Sequence, residues 1–413
     1  MPKKLLMGNE AFAHAALAAG ASVIAGYPGT PSSEVIETVA ARVASGGAHD
    51  VHEKAALEML AGASYAGART LFTCKQVGLN VAADPLMSLN YVGVEGGCVL
   101  YVADDPGPIS SQTEQDTRRF ASFAKVPVFD PENIEQGMDM MAAAFELSEA
   151  YRTPVIVRPT TRVCHSSTYV DVPDETYGRP ARGFTKDDSR WVIFPARSYR
   201  GHLEIIERLA RIAEDFSDVR RLGRFNPVEQ HGESARLGIV CGGVSTAYTR
   251  EALAILAAMH SDALPAYRFM QIGTPYPFPA NLVDSFVDGL DEIIVFEELD
   301  HVIEDELCAL MGYRAMDGRA VARVRGKHLS RRLVQRLVVE DIPRHGEEIG
   351  TAARNLRKQR VELLHGEVRP EMHVADLRDH HAVRLGRQIA DGNHIVAPHR
   401  LMPFNECTVA AEE

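Results

Sequence analysis

The fold of this chain is decided by the stretch GYPGTPSSE at residues 26–34, a polar turn rich in glycine and proline. A short apolar run precedes it at residues 21–25, and an Ala-rich segment that ends at Gly20 precedes that run. After Pro31, serines come before Glu34, where a serine can cap free N–H groups and an acid complements the helix dipole. The stretch therefore predicts a strand, a polar loop and a helix in succession.

The same alternation continues along the first part of the chain. It predicts helices at residues 53–68, 81–91 and 132–151 and strands at residues 70–74, 97–103 and 154–159. Short apolar runs separated by helices are typical of a parallel sheet that is covered on both faces. We therefore predict an α/β fold for residues 1–165.

Three further regions follow. Residues 166–235 break the alternation with four prolines and the chain's only tryptophan, so we expect an excursion or linker there, with one charged helix near residues 202–215. A second alternating block, whose predicted strands include residues 267–272 and 292–296, predicts a smaller α/β domain at residues 236–329. The last region, residues 330–413, opens with a basic, arginine-rich stretch and is His-rich without periodicity, which favours a solvated tail or a docking segment over a metal cluster of its histidines.

Composition excludes some classes of function. The chain has 413 residues and a formal net charge of −12, which argues against nucleic acid as its main ligand. No apolar run approaches the ~20 residues of a membrane span, and no long signal-peptide core follows the N-terminal lysines. We therefore expect a cytoplasmic protein without a membrane partner.

The six cysteines are widely scattered and include no CxxC pair. This spacing favours buried free thiols over a zinc or iron–sulfur site, and we assign no metal ligand in this chain.

Glu53 is the first candidate for chemistry. It opens a predicted helix whose body is mostly Ala, Gly and Ser, and small side chains let another backbone approach closely. One explanation of Glu53 is an acid that complements the helix dipole. The other is a carboxylate that hydrogen-bonds a cofactor ring nitrogen and shifts its protonation, as the pyrimidine of thiamine diphosphate requires.

Polar loops follow three strands of the predicted first sheet. The first contains Thr30, Ser32 and Ser33; helix capping explains one of these hydroxyls, and substrate contact is the alternative for the others. The second and third loops contain Lys75, Gln76, Gly78, Asn80, Asp104, Asp105, Ser110 and Ser111. Because open α/β sheets place ligands at the carboxyl ends of their strands, the loops together predict one site.

In the second block, Gly242 and Gly243 follow a predicted strand and precede a helix. Backbone N–H groups at a helix start bind anions, so a nucleotide site is one interpretation of this pair. The spacing is not GxGxxG, and a tight turn is the other interpretation.

Six motifs occur in collinear order between residues 4 and 327. They are YPGTPSSE at 27–34, HEKAALEMLAGASYAGAR at 52–69, KQVGLN at 75–80, VADDPGPISSQTEQD at 102–116, TRVCHS at 161–166 and VFEELD at 295–300. Together they resemble the 2-oxoacid:ferredoxin oxidoreductases, and most closely the alpha subunit of the indolepyruvate type.

The resemblance implies a pyrimidine-binding thiamine diphosphate domain at residues 1–165 and a transketolase C-terminal-like domain at residues 236–329. It implies that Glu53 activates the thiamine and that Thr30 faces the 2-oxoacid. From their places in the polar loops we assign Ser32, Ser110 and Ser111 to substrate binding and Lys75, Gly78 and Asn80 to cofactor binding. The family reaction is oxidative decarboxylation of a 2-oxoacid to an acyl-CoA, with coenzyme A as co-substrate and electrons passing through iron–sulfur clusters to ferredoxin.

The sequence departs from the family pattern in one respect that concerns partners. It contains no Gly-Asp dipeptide, hence no GDG motif for a magnesium diphosphate, and no clustered cysteines. We therefore expect a partner subunit that carries the diphosphate site, Mg²⁺ and a 4Fe-4S cluster, together with a beta- or gamma-type subunit and ferredoxin. The alternatives are a non-catalytic scaffold or regulatory relative, and a nucleotide-binding protein that uses Gly242 and Gly243.

Overall fold

The structure is a computed structural model that describes residues 3–42, 48–50 as backbone, 52–173, 181–259 and 264–327. The region 330–413, with its histidines and Cys407, lies outside the described residues.

The elements alternate as the sequence predicts through most of the described chain. The helices are α1 (Gly8–Ala18), α2 (Ser33–Ala40), α3 (Glu53–Tyr65), α4 (Gln76–Val81), α5 (Ala83–Val92), α6 (Thr117–Ala124), α7 (Ile134–Tyr151), α8 (Thr161–Cys164), α9 (Asp188–Trp191), α10 (Pro195–Ser217), α11 (Ser245–Met259), α12 (Ala280–Val287) and α13 (Val302–Met316). The strands are β1 (Lys3–Met7), β2 (Val23–Gly26), β3 (Ala48–Asp50), β4 (Thr70–Lys75), β5 (Cys98–Ala103), β6 (Val128–Phe129), β7 (Val155–Val157), β8 (Ser167–Asp171), β9 (Val228–His231), β10 (Leu237–Gly242), β11 (Tyr267–Ile272), β12 (Glu292–Phe296) and β13 (Arg323–Arg325).

The first sheet has six parallel strands in the order β3-β2-β4-β5-β7-β6. Its central strand β5 is buried throughout, because both faces of the sheet are covered. Successive side chains of β5 point to opposite faces, so Tyr101 joins the core cluster that includes α1 and α7 while Leu100 joins the one that includes α3 and α5. All six strands end at the same edge, and the loops that follow them meet there.

The second sheet has the order β13-β12-β10-β11-β9. Four of its strands are parallel, and β9 pairs antiparallel with β11 at one edge. Buried side chains of α12 and α13, among them Phe286 and Leu307, complete its core. A separate antiparallel pair joins β1 to β8.

Residues 166–235 are more regular than their composition predicts. They contain the 23-residue helix α10, which begins at Pro195 rather than near residue 202. This helix is amphipathic and buries Ile205, Ile212 and Phe216, so side-chain packing stabilises it despite its charged sequence. The segment also supplies β8 and β9, which pair with strands distant in sequence.

Other predictions were wrong in detail. The predicted helix at residues 81–91 is α5, and a separate short helix, α4, precedes it directly after β4. Helix α6 and the two-residue strand β6 were not predicted, since short elements have weak periodicity. Cys74, Cys98, Cys164 and Cys241 are buried, as expected, but Cys308 is exposed on α13. Among the helices that the structure describes, none is both long and apolar enough to span a membrane.

Candidate functional site

The turn at residues 26–34 lies at the carboxyl end of β2, beside the loops that follow β4, β5 and β7. We call this edge, formed by Glu53 and residues 27–32, 75–80, 105–115 and 159–161, the rim. At Gly26 a Cβ atom would lie 2.0 Å from the carbonyl oxygen of Thr73 in β4, so only glycine fits where the turn leaves the strand. The Thr30–Pro31 peptide bond within the turn is cis.

A buried amide holds the turn from below. Asn9, in the first turn of α1, donates from Nδ2 to the carbonyl oxygen of Pro31 at 2.7 Å and to Oε2 of Glu34 at 2.6 Å. The hydroxyl of Tyr101 in β5 donates to Oδ1 of Asn9, and it lies 3.3 Å from Sγ of Cys164. The turn is therefore tied to the core of the first sheet.

Burial keeps the hydroxyl of Tyr101 and the thiol of Cys164 protonated. It raises the pKa of Tyr101 well above its usual value and raises the pKa of Cys164 to about 12. At neutral pH Tyr101 thus has a proton to donate, and the oxygen of the Asn9 side chain is the natural acceptor. This orients the amide so that its NH₂ group faces Pro31 and Glu34.

The hydroxyls of the turn have different environments. Ser32 is buried, and its hydroxyl donates to the carbonyl oxygen of Gly29 at 2.8 Å. Although Ser32 is the N-cap residue of α2, its side chain makes no capping bond, so the capping explanation of Ser32 is wrong. Thr30 is exposed, and its carbonyl oxygen accepts a hydrogen bond from the hydroxyl of Ser110 at 3.3 Å.

Glu53 is the first residue of α3 and is partly buried. Its carboxylate lies against α4, since a Cβ atom at Gly78 would be 2.8 Å from Oε1 of Glu53 and 3.0 Å from Cβ of Cys74. Glycine at position 78 therefore makes room for the carboxylate. The structure brings these two predicted residues together.

The loop after β4 contacts both of its neighbours. The side chain of Lys75 lies beside the turn, because a Cβ atom at Gly29 would be 3.3 Å from Lys75 Cδ. Gln76 donates from Nε2 to the carbonyl oxygen of Thr113 at 3.2 Å, and exposed Asn80 donates to Oε1 of Gln115 at 2.8 Å. The loops around Lys75 and Thr113 thus meet at the rim.

Asp105 organises the loop after β5. Its Oδ2 accepts the backbone N–H groups of Ser110 and Ser111, both at 2.9 Å, and that of Ile109 at 3.1 Å. Its Oδ1 accepts the hydroxyl of Thr161 at 2.7 Å. Desolvation opposes ionisation, but the N–H group of Ser110 and the Thr161 hydroxyl hold the pKa of Asp105 below its usual range.

A group of buried charges joins the rim to the second sheet, and we call it the buried ion cluster. Its members are Asp104, Asp116, Arg118, Asp130, Arg158 and Glu297, whose side chains are at most 2% exposed. Arg158 donates to Oδ2 of Asp104 at 2.7 Å and to Oδ1 of Asp130 at 3.2 Å. These bonds connect three strand ends of the first sheet.

Arg118 makes the connection to the second sheet. Its Nη2 donates to Oδ2 of Asp116 at 2.7 Å, and its Nη1 donates to Oε2 of Glu297 at 2.8 Å. Glu297 in turn accepts the N–H groups of Ile303 and Glu304 at 3.0 Å, at the positive start of α13. The VFEELD motif therefore lies at a contact between the sheets.

The charges in the buried ion cluster are unequal. Burial raises the pKa of Asp104 and of Asp130, against the attraction of Arg158. At Asp116 burial acts in the same direction, but the adjoining Arg118 and Arg158 hold its pKa well below its usual range. Asp116 is accordingly the firmly ionised partner of Arg118.

Sequence reasoning missed the buried ion cluster. Asp104, Asp116 and Glu297 stand in motifs, but Arg118 and Glu297 are 179 positions apart in the chain. The only local signal is arginine next to strands that are otherwise apolar, because charged residues are almost never fully buried unless they are paired.

The turn at Gly242 and Gly243 faces this cluster. A Cβ atom at Gly243, where φ is +50°, would lie 2.8 Å from Oδ1 of Asp130. The Asp130 carboxyl, which pairs with Arg158, therefore lies beside the start of α11. The tight-turn interpretation accounts for the positive φ of Gly243, and the nucleotide interpretation stays a prediction.

Among the described residues, no group of three or more His, Cys, Asp or Glu side chains is placed to hold a metal ion. Two buried oxygens near the rim, Thr73 Oγ1 and Gln76 Oε1, have no hydrogen-bond partner within the described residues. They flank the strand end that leads to Gly78, where polar groups without partners are suited to bind a ligand.

Comparison with known proteins agrees with this architecture. The family model described as pyruvate flavodoxin/ferredoxin oxidoreductase, thiamine diP-bdg, matches residues 14–191. The chain is 41% identical over 311 residues to the indolepyruvate oxidoreductase subunit IorA of Thermococcus kodakarensis, covering 73% of this chain and 46% of that protein. It is 40% identical over 321 residues to IorA of Methanothermobacter thermautotrophicus, covering 76% of this chain and 50% of that protein.

The chain thus spans about half the length of these curated relatives. A solved structure of 2-oxoglutarate:ferredoxin oxidoreductase from Magnetococcus marinus, with 2-oxoglutarate, coenzyme A and succinyl-CoA bound, matches with a TM-score of 0.60 at 18% identity. That match covers 78% of this chain and 62% of the other, and it shows a common fold. The part of the chain that these relatives cover therefore belongs to the 2-oxoacid:ferredoxin oxidoreductase family, of the indolepyruvate oxidoreductase alpha type, as its motifs predicted.

Proposed function

We propose that this chain supplies the pyrimidine side of a thiamine diphosphate site in a multi-subunit oxidoreductase that acts on an aryl 2-oxoacid such as indolepyruvate. The observation that carries the proposal is the carboxylate of Glu53, held at the start of α3 against Gly78 on the rim. A partner subunit would bring the diphosphate site, Mg²⁺ and a 4Fe-4S cluster. Coenzyme A would be the co-substrate, ferredoxin the electron acceptor and the cytoplasm the location.

The residues present suit one end of the cofactor. Glu53 is an acceptor at a helix start, and the oxygens of Thr73 and Gln76 are buried nearby with no hydrogen-bond partner among the described residues. When bound, thiamine diphosphate supplies the carbon nucleophile that attacks a keto carbon and allows CO₂ to leave. The part of this chain is to hold a proton between Glu53 and a ring nitrogen.

Substrate binding would involve the first and third loops. Thr30 and Ser110 are exposed next to each other, and Asp105 orients the backbone of Ser110 and Ser111. We propose that these hydroxyls bind the 2-oxoacid carboxylate, with Lys75 and Asn80 closer to the cofactor. Ser32 would act indirectly, since its hydroxyl is used inside the turn.

The partner would cover one face of α3. Ala55, Met59 and Gly62 are exposed at helical spacing on the side of α3 that faces away from Glu53, and among the described residues no packed neighbour lies within 4 Å of a Cβ atom built at Gly62. Small residues on this face would let a second subunit pack closely against α3, as in a site formed between two chains.

The test is Glu53→Gln in the complex reconstituted with its partner subunits. We expect turnover of the 2-oxoacid to fall by at least ~10²-fold, because proton transfer to and from the ring nitrogen loses its carboxylate. Glu251→Gln is the control, since Glu251 is an exposed acid of α11, away from the rim and from the face of α3 proposed to contact the partner, and it should leave turnover within a factor of about two, as surface substitutions usually do.

Two results would contradict the proposal. Near-normal turnover of the Glu53→Gln complex would remove Glu53 from the mechanism. A stable complex that never retains thiamine diphosphate would instead favour the non-catalytic scaffold.

A further inference from the structure

A cavity rich in arginine lies on the side of the first sheet opposite the rim. It has a volume of about 400 Å³ and opens between α10 and the carboxyl ends of α5 and α7. Because α5 and α7 lead into the amino ends of β5 and β7, the cavity is at the sheet edge that the candidate site does not use. We call it the arginine cavity.

Cations outnumber carboxylates in its lining. The five arginines are Arg152, Arg190, Arg197, Arg208 and Arg211, and the two acids are Glu204 and Glu207. Three of the arginines are on one face of α10 at helical spacing, and the other two come from the end of α7 and from α9. The fold thus brings positively charged side chains from three segments to one cavity.

Two of these arginines are matched by protein partners. Arg190 pairs with Glu95, and Arg197 donates to Oε2 of Glu204 at 2.9 Å and to the carbonyl oxygen of Tyr91 at 3.1 Å. Arginine at a helix C-terminus is stabilising, so these contacts have an ordinary structural explanation.

Arg208 is explained in this way only in part. It donates to Oδ1 of Asn90 at 2.6 Å and to the carbonyl oxygens of Asn90 at 3.3 Å and Arg152 at 3.5 Å, while its buried Nε has no hydrogen-bond partner in the described part of the chain. The guanidinium of Arg211 stacks on Tyr151, 5.2 Å from the ring centroid. These contacts among the described residues include no ion pair for either arginine, and an anion in the cavity would supply one.

The electrostatics point in the same direction. The pKa of Arg208 is lowered to about 10. Burial is the largest cause, Glu204 opposes the shift, and neighbouring Arg197 acts in the same direction as burial. The charged guanidinium is therefore short of negative partners. An anion between Arg208 and Arg211 would supply them.

We propose that the arginine cavity binds the phosphate group of a small molecule, with Arg208 and Arg211 as the principal contacts. Planar guanidinium groups match phosphate oxygens with paired hydrogen bonds, and the volume suits a ligand larger than a single phosphate ion. The site is separate from the rim, so its ligand would be an effector or a structural anion.

The experiment is isothermal titration of the full chain with inorganic phosphate, pyrophosphate and adenosine monophosphate, in the absence of thiamine diphosphate. We expect pyrophosphate to bind, and Arg208→Gln and Arg211→Gln each to weaken binding by at least ~10-fold, as for a lost hydrogen bond to a charged group. Arg220→Gln, an exposed arginine beyond the end of α10, is the control and should bind as the wild type does.

The three ligands identify the source of the phosphate. Tighter binding of adenosine monophosphate than of inorganic phosphate would indicate a nucleotide, and the reverse would indicate a free anion. No heat above dilution with any of them, or equal affinity in wild type and variants, would overturn the proposal. Arg211→Gln keeps the test valid if Arg208→Gln fails to fold, because Arg211 is exposed and surface substitutions usually change stability little. Neither result depends on catalytic activity, so the proposed function is tested separately.

Discussion

The rim and the buried ion cluster are built from the same motifs but have opposite properties. In VADDPGPISSQTEQD, Asp104 and Asp116 are buried and paired with arginine, whereas Ser110 is exposed beside Thr30. The buried ion cluster joins the first sheet to the second through Arg118 and Glu297. The rim has an acceptor at a helix start and, close to it, buried oxygens that have no hydrogen-bond partner in the part of the chain that the structure describes.

The difference shows that a sequence motif typical of a family need not lie in the active site of that family. Adjacent residues, Asp104 and Asp105, separate these roles, since one joins the buried ion cluster and the other folds the loop that carries Ser110 and Ser111. Substitutions in the buried ion cluster should therefore reduce stability first. Substitutions on the rim should reduce turnover first.

The largest effect on stability is expected for Arg118→Met. It would leave the carboxylates of Asp116 and Glu297 buried without their cation, at a cost of about 3–5 kcal/mol in the free energy of unfolding. The adjacent Arg119 is the matched control. Its side chain is 41% exposed and pairs with Asp305, so Arg119→Met should cost about 0–1 kcal/mol. Urea denaturation followed by circular dichroism measures the free energy of unfolding of both variants. Equal losses would show that an arginine of the buried ion cluster contributes no more stability than an exposed one.

Asp105→Asn should have an intermediate effect with a characteristic pH dependence. Hydrogen bonds to a charged group contribute about 1.5–3 kcal/mol, and the amide would keep only part of that. Because the folded protein lowers the pKa of Asp105, this stability is present above the unfolded value of about 3.9 and is lost as the pH falls through the folded value.

The stability difference between wild type and Asp105→Asn should therefore shrink below about pH 4, the range in which an unfolded aspartate is protonated. Denaturant titrations from pH 7 to pH 3 measure it. A difference that is independent of pH would mean that the charge of Asp105 is not what folds the loop.

The smallest effect is expected for Tyr101→Phe. Loss of the hydroxyl that donates to Asn9 should cost about 1 kcal/mol, the typical net value of one buried hydrogen bond. Tyr169→Phe is the control, since Tyr169 is 65% exposed on β8 and its change should lie within about 0.5 kcal/mol. If the loss of stability for Tyr101→Phe is no larger than that for the control, the turn at Pro31 is held by other contacts.

Much of the fold followed from local patterns. The strands at residues 267–272 and 292–296 have the predicted bounds, because a buried strand between turns has a clear apolar signature. Helix α10 extends further than its charged sequence indicated, since its stability comes from the buried side chains of Ile205, Ile212 and Phe216. The two-residue strand β6 is defined by its neighbours and has no signature of its own.

Of the candidate site, the sequence indicated which loops lie together but not which side chains meet. The fit of Glu53 against Gly78, the hydrogen bond of Ser110 to Thr30 and the use of Asn9 beneath Pro31 all depend on distances between separate strands. The arginine cavity was not foreseen for the same reason, because its cations come from α7, α9 and α10.

The sequence by itself determined the alternation of strands and helices, the polar turn after β2 and the family to which the motifs belong. These follow from hydrophobic periodicity and turn chemistry, which act between residues near in the chain. Only the tertiary structure decided that Asp104 and Asp116 are partners of buried arginines, while Glu53 and Thr30 are left at the rim. Burial and pairing of charge depend on which distant segments meet. An ionised side chain is stable in the interior only where one of these segments supplies a partner of opposite charge.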